Sequence, residues 1–160
     1  MSVAFTKEDS AETAAETMLP DRPVSAEPNL VTSTGLAALQ RQFDAARQAH
    51  DAAATIEDVN ERRRQSAAPL RDLRYFAERL RTAQLMPDPP SNATVGFGST
   101  VTVERDDGRT MRYRIVGEDE ADPAAGSVSF VSPLARALIG RAIGDLVPLG
   151  DHELEVRAIA

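Results

Sequence analysis

Asp58 and Glu61 are the two side chains whose types and spacing best suit chemistry. They stand three residues apart in Thr55-Ile56-Glu57-Asp58-Val59-Asn60-Glu61, with Asn60 between them. Carboxylates are the hard oxygen ligands that Mg²⁺ takes, and at this spacing, at a helix start, two of them can share one face. The same acids have a plainer use, because acids in a first helical turn complement the helix dipole. Arg62, Arg63 and Arg64 follow directly and can pair with them. That triple arginine suits RNA phosphates or an acidic wall, and equally a solvated helix face. A second acidic run, Glu118-Asp119-Glu120 with Asp122, suits a cation or a surface turn. Other chemistries are poorly served. With no Cys there is no thiolate metal site, disulfide or cysteine nucleophile, and two histidines, His50 and His152, do not make a multi-His centre. No phosphate-binding glycine loop or triad-like set is present.

The elements that must hold these residues follow from periodicity. The 160 residues carry a formal charge of −7, which argues against a protein holding DNA by its overall charge. The charge is uneven: residues 34–85 hold nine bases against seven acids, and the flanks are acidic. Residues 1–29, closed by Pro20, Pro23 and Pro28, offer little apolar surface and are expected to form a mobile acidic extension. Leu36, Leu39, Phe43, Ala46 and Ala53 then fall on 3-and-4 spacing, and Leu70, Leu73, Ala77, Leu80 and Gln84 repeat it. Two such stripes around the polar link at 55–61 predict an antiparallel helical hairpin over 30–86, with Thr55 or Asp58 capping the second helix. Pro69 is expected to kink or restart that helix near Ser66. The tip acids then lie where the hairpin turns.

Met86 to Asn92, MPDPPSN, reads as a stiff linker, placed at 87–93. Beyond it the period drops to two. Ser99 to Glu104 alternates, Asp106-Asp107-Gly108 turns the chain, and Thr110 to Val116 alternates again. Ser127 to Val131 reads as a third strand, Ser132-Pro133 as the cap and first residue of a short helix from Leu134 to Ile139, and His152 to Ile159 as the last strand. Four strands and one helix over 94–160 make a small α+β domain. The apolar runs are far shorter than a membrane span of about 20 residues, and the first ten residues do not read as a signal peptide. The expectation is a cytoplasmic protein.

The stretches VGFGSTVTVERDDG, YRIVGEDEAD and SVSFVSPLARALIGRAIGDLVPL resemble the C-terminal domain of the bacterial Gre transcript-cleavage factors, GreA and GreB. The order of helical hairpin, linker and α+β domain agrees, and the resemblance covers roughly residues 30–160. It implies a coiled-coil arm followed by an FKBP-like α+β domain, acting on RNA polymerase. By this resemblance the C-terminal domain docks on the rim of the secondary channel through Ser132, Pro133, Leu134 and Arg136. The arm enters the channel, where Asp58 and Glu61 help hold a Mg²⁺ shared with the polymerase active site. The factor lends ligands for hydrolysis of backtracked RNA and is not itself an enzyme. No intrinsic cofactor is expected, nascent RNA is met only inside the elongation complex, and the chain is expected to be monomeric.

Three features depart from the family pattern. The tip continues as ERRRQ, Val131 precedes the Ser-Pro, and each arm helix falls roughly two turns short, about 11 Å of reach. The short arm favours a regulator that occupies the channel without promoting cleavage. A regulator of nucleoside-diphosphate kinase is a further alternative, although the arm of this chain is longer than in those relatives.

Overall fold

The structure, a computed structural model, describes residues 19–160. Within them the chain runs β1 (Leu30–Val31), α1 (Ser33–Ala54), α2 (Val59–Thr82), β2 (Gln84–Leu85), β3 (Thr100–Arg105), β4 (Thr110–Val116), β5 (Ser127–Ser129), α3 (Pro133–Leu138), β6 (Leu146–Leu149) and β7 (His152–Ile159). This is the α+β class: two long helices, then a sheet domain. The described residues form two units, one of residues 19–24 and 39–81, the other of 25–38 and 82–160.

The first unit is the helical arm. On α1, from residue 39 on, the buried and half-buried residues are Leu39, Phe43, Asp44, Ala46, His50 and Ala53, and all but Asp44 follow a 4-3-4-3 alternation. On α2, where many residues are half-buried and Arg79 is fully buried, the row Arg62, Ser66, Pro69, Leu73, Phe76 and Leu80 keeps the same rhythm. That is the seam of a two-helix coiled coil. The expected stripe is therefore corrected in two places: Ala77 is exposed and Phe76 takes the seam position, and Gln84 lies beyond the end of α2, exposed in β2. Pro69 does not restart the helix, since α2 runs unbroken from Val59 to Thr82. The proline removes a single ladder hydrogen bond, while seam residues on both sides of it stay half-buried and hold the helix together.

Residues 1–18 of the expected extension lie outside the described residues. Residues 19–24 lie against α2. The Arg22 guanidinium sits 3.9 Å from the centre of the Tyr75 ring and 3.2 Å from the Asp72 carboxylate, and Arg74 meets Asp21 at 3.3 Å.

The second unit is a five-stranded sheet in the order β5-β4-β3-β7-β6, with a separate two-stranded ladder of β1 and β2. Alternation along β3 sends Val101 and Val103 into the core, where Ile115, Val128, Leu154, Val156 and Leu138 meet them. Each fully buried Leu or Ile stabilises by about 1.5–3 kcal/mol. The register between β3 and β7 shifts at Thr102/Val103. The extra residue changes the phase of β7, so Leu154 and Val156 point inward and the next inward residue is Ile159.

Four strands were expected, and the sheet has five. The missed strand is β6, where Pro148 argues against a ladder position. It survives because β6 is the sheet edge, and an edge strand tolerates a missing N–H.

The base of the hairpin is built into this second unit. β1 and β2 pair in parallel, Leu30 with Gln84 and Val31 with Leu85. Thr32 caps α1: its hydroxyl oxygen accepts from the Gly35 N–H at 3.0 Å and its hydroxyl donates to Glu120 Oε2 at 2.6 Å. Gly117 is pressed on β1, where a Cβ would collide with the Leu30 carbonyl oxygen. Replacing Gly117 with Ala must push β1 away and should cost about 1–3 kcal/mol in urea unfolding. Gly96→Ala is the control, since a Cβ there meets nothing within 4 Å. Equal stability of the two variants would contradict this close approach.

Candidate functional site

The structure brings Asp58 and Glu61 together in the first turn of α2, and Ser132, Pro133, Leu134 and Arg136 together at the start of α3. The two groups belong to different units.

At the tip, Asp58 is the N-cap of α2. Its Oδ1 accepts from the Glu61 N–H at 2.7 Å, and its carbonyl accepts from the Arg62 N–H at 2.9 Å. An acid followed three residues later by Glu is the spacing of a capping box, and the capping half of that motif is formed. The Glu61 side chain does not reach back. Its Oε2 takes the Arg64 Nε and Nη2 at 3.1 and 2.9 Å, and its Oε1 takes the Gln65 amide at 2.8 Å. The hydrogen bond from Gln65, then those from Arg64, hold the Glu61 carboxyl below the usual glutamate range. Arg62 donates to the Ile56 carbonyl at 2.9 Å and closes the link between the helices. The triple arginine thus divides: Arg62 braces the turn, Arg64 pairs with Glu61, and Arg63 is exposed.

Among the described residues no group of three or more His, Cys, Asp or Glu side chains is placed to hold a metal. Two carboxylates are too few for an octahedral Mg²⁺ site of their own. The donor set fits only a role in which the remaining ligands come from elsewhere.

At α3, the Ser132 hydroxyl accepts from the Ala135 N–H at 3.2 Å and is used as the helix cap. Pro133 at the first helical position is exposed, and Leu134 packs on the core. Arg136 is exposed, with its Nη2 3.2 Å from Glu27 Oε1. Of the four residues, Pro133 and Arg136 present surface, while Ser132 and Leu134 shape the loop that carries them.

The sequence leaves the acidic run at 118–122 as a cation site or a surface turn. Glu120 instead points inward, bonded to Thr32 and 3.8 Å from the Arg114 guanidinium. Its position against Gly35 joins residues 85 apart in sequence, and no local pattern announces such a contact. His152 lies 3.0 Å from Asp106 across two turns of the sheet. Among the described residues no helix is long and apolar enough to cross a membrane.

One unit is a helical arm with two acids at its turn, and the other is a small sheet domain whose surface helix has Ser132 as its cap and Pro133 as its first residue. The family profile described as Transcription elongation factor, GreA/GreB, C-term matches residues 90–160. Transcription elongation factor GreA of Beijerinckia indica is 42% identical over 116 residues, covering 69% of each chain. The chain belongs to the GreA/GreB family. GreA of Sphingopyxis alaskensis is 42% identical over 98 residues, 58% of this chain and 60% of that one. The match spans 47% of the length of the Ralstonia nicotianae GreA. The solved GreA/GreB factor from Nitrosomonas europaea is similar with a TM-score of 0.41 at 19% identity, covering 82% of this chain and 98% of that chain.

Two outcomes at the tip are expected. Asp58→Ala should cost about 0.5–2 kcal/mol in thermal or urea unfolding, and Asp58→Asn much less, because Asn caps as well as Asp. In an NMR titration the Glu61 carboxyl should show a midpoint below that of ordinary glutamates, moving up in Gln65→Ala. Because the folded value is lowered, the stabilisation is present above the unfolded glutamate range and is lost as pH falls through the folded midpoint.

Proposed function

We propose that this chain regulates transcription elongation by binding RNA polymerase, without catalysing a reaction itself. Membership of the GreA/GreB family, whose relatives are named transcription elongation factors, is the observation that carries this reading. Docking runs through the loop of Pro133 and Arg136 on the rim of the secondary channel, supported by the exposure of both residues on a helix start shaped by Pro133. The hairpin enters the channel. There Asp58 and Glu61 would lend oxygen ligands to a Mg²⁺ shared with the polymerase, whose chemistry would be activation of water for hydrolysis of backtracked RNA.

A second reading has its own support. Both Glu61 oxygens are engaged and Asp58 caps its helix, so the tip is locally satisfied. A tip of this kind suits a factor that occupies the channel without promoting cleavage.

The test is a backtracked elongation complex with the cognate polymerase. On the first reading the protein stimulates shortening of the RNA from its 3′ end, and the double variant Asp58→Asn, Glu61→Gln abolishes this while still binding. On the second, the unaltered protein binds and slows elongation with no cleavage. Pro133→Ala with Arg136→Glu should weaken binding at least tenfold in either case. Undiminished binding of that folded variant removes the loop from the account.

A further inference from the structure

The segment that precedes β1 ends on a firm anchor. Asn29 is 4% exposed. Its carbonyl accepts from the Gln84 N–H at 2.8 Å, and its side-chain amide donates to the Thr82 hydroxyl at 3.1 Å. Pro28 restricts the backbone just before it, and the Pro28 carbonyl accepts from the Leu30 N–H at 3.0 Å. Two residues ahead of this anchor, the Glu27 N–H donates to the Ser25 hydroxyl at 3.2 Å. From that bend the Glu27 carboxylate reaches Arg136 Nη2 at 3.2 Å. The two residues are 109 apart in sequence, and their side chains are 46% and 60% exposed.

Arg136 is the one fixed positive charge on the face of α3, and a guanidinium of this kind recognises a carboxylate. We infer that Glu27 is an intramolecular competitor for Arg136, an autoinhibitory contact that the partner's own acidic side chain must displace when the α3 loop docks. The inference rests on the reading of that loop as the docking surface. The anchor at Asn29 keeps the Glu27 carboxylate within reach at high effective concentration. The contact is still a single exposed ion pair, so its hold is small and its release easy. Such a pair sets the threshold of docking without closing the site.

The experiment measures the affinity of the full chain for bacterial RNA polymerase at one fixed, low salt concentration. The proteins compared are the unaltered chain, Glu27→Gln, Arg136→Gln and the double variant. Glu27→Gln removes the charge and keeps the size, and it should tighten binding by between about two- and fivefold, the range that exposed ion pairs span. In the Arg136→Gln background the same change should do nothing. Unchanged or weakened binding of Glu27→Gln, with the unaltered chain binding, overturns the inference and leaves the docking reading intact. An equal gain with and without Arg136 also overturns it, because the competition then lies elsewhere. If no form binds polymerase, the docking reading falls first and this inference with it.

Discussion

The Thr32 hydroxyl does two jobs, and the way the arm begins depends on both. As an acceptor it satisfies the Gly35 N–H that the helix start leaves open, and as a donor it meets the Glu120 carboxylate. The negative charge then sits at the helix N-terminus, where the dipole favours it. Two glycines make this geometry possible. A Cβ at Gly35 would lie 2.6 Å from Glu120 Oε2, and one at Gly117 would strike the Leu30 carbonyl. The β1–β2 ladder adds the other strand of the root by pairing Val31 with Leu85. Within the second unit, therefore, the two ends of the hairpin are tied to each other by backbone pairing, and the start of α1 is tied to the 118–122 loop by one charged hydrogen bond.

The tip works by a different balance. Asp58 and Glu61 are held by interactions that are individually small: one helix cap, one exposed arginine pair and one amide hydrogen bond. An exposed ion pair contributes roughly 0–1 kcal/mol, so a metal presented by a partner can take these oxygens at little cost to the fold. The same weakness lets them remain a cap when no metal is offered. Family membership and local geometry are therefore compatible with one another, and the choice between them is made by reach and by the partner.

Where the physics was local, the residues alone were informative. The 3-and-4 spacing from Leu36 to Ala53 placed α1, the Asp-Asp-Gly turn and its flanking alternation placed β3 and β4, and Ser132-Pro133 placed the start of α3. Asp58 was one of two residues named as a cap, and the cap is formed. The features that were not legible depend on partners far away. Glu120 reads as part of an acidic surface run until Thr32 is beside it, and Pro148 conceals β6 because nothing local reveals that the strand lies at an edge. Phe76 displaced Ala77 from the seam because stripes one residue apart are nearly indistinguishable in a helical pattern. The pairing of Glu27 with Arg136 joins a segment read as mobile to the α3 surface, and no periodicity links them.

On the proposed function the hairpin tip reaches the catalytic centre of RNA polymerase, and a cleavage probe at the tip tests this directly. The chain contains no cysteine, so a single Asn60→Cys change gives one attachment point between the two acids. An iron chelate placed there, in a backtracked elongation complex, generates hydroxyl radicals that cut within roughly a side chain's reach of the tip. A tip at the catalytic centre gives cuts in the RNA near its 3′ end and in the polymerase segments around the active-site Mg²⁺. Cuts confined to the outer rim of the polymerase, with the protein bound, would contradict it.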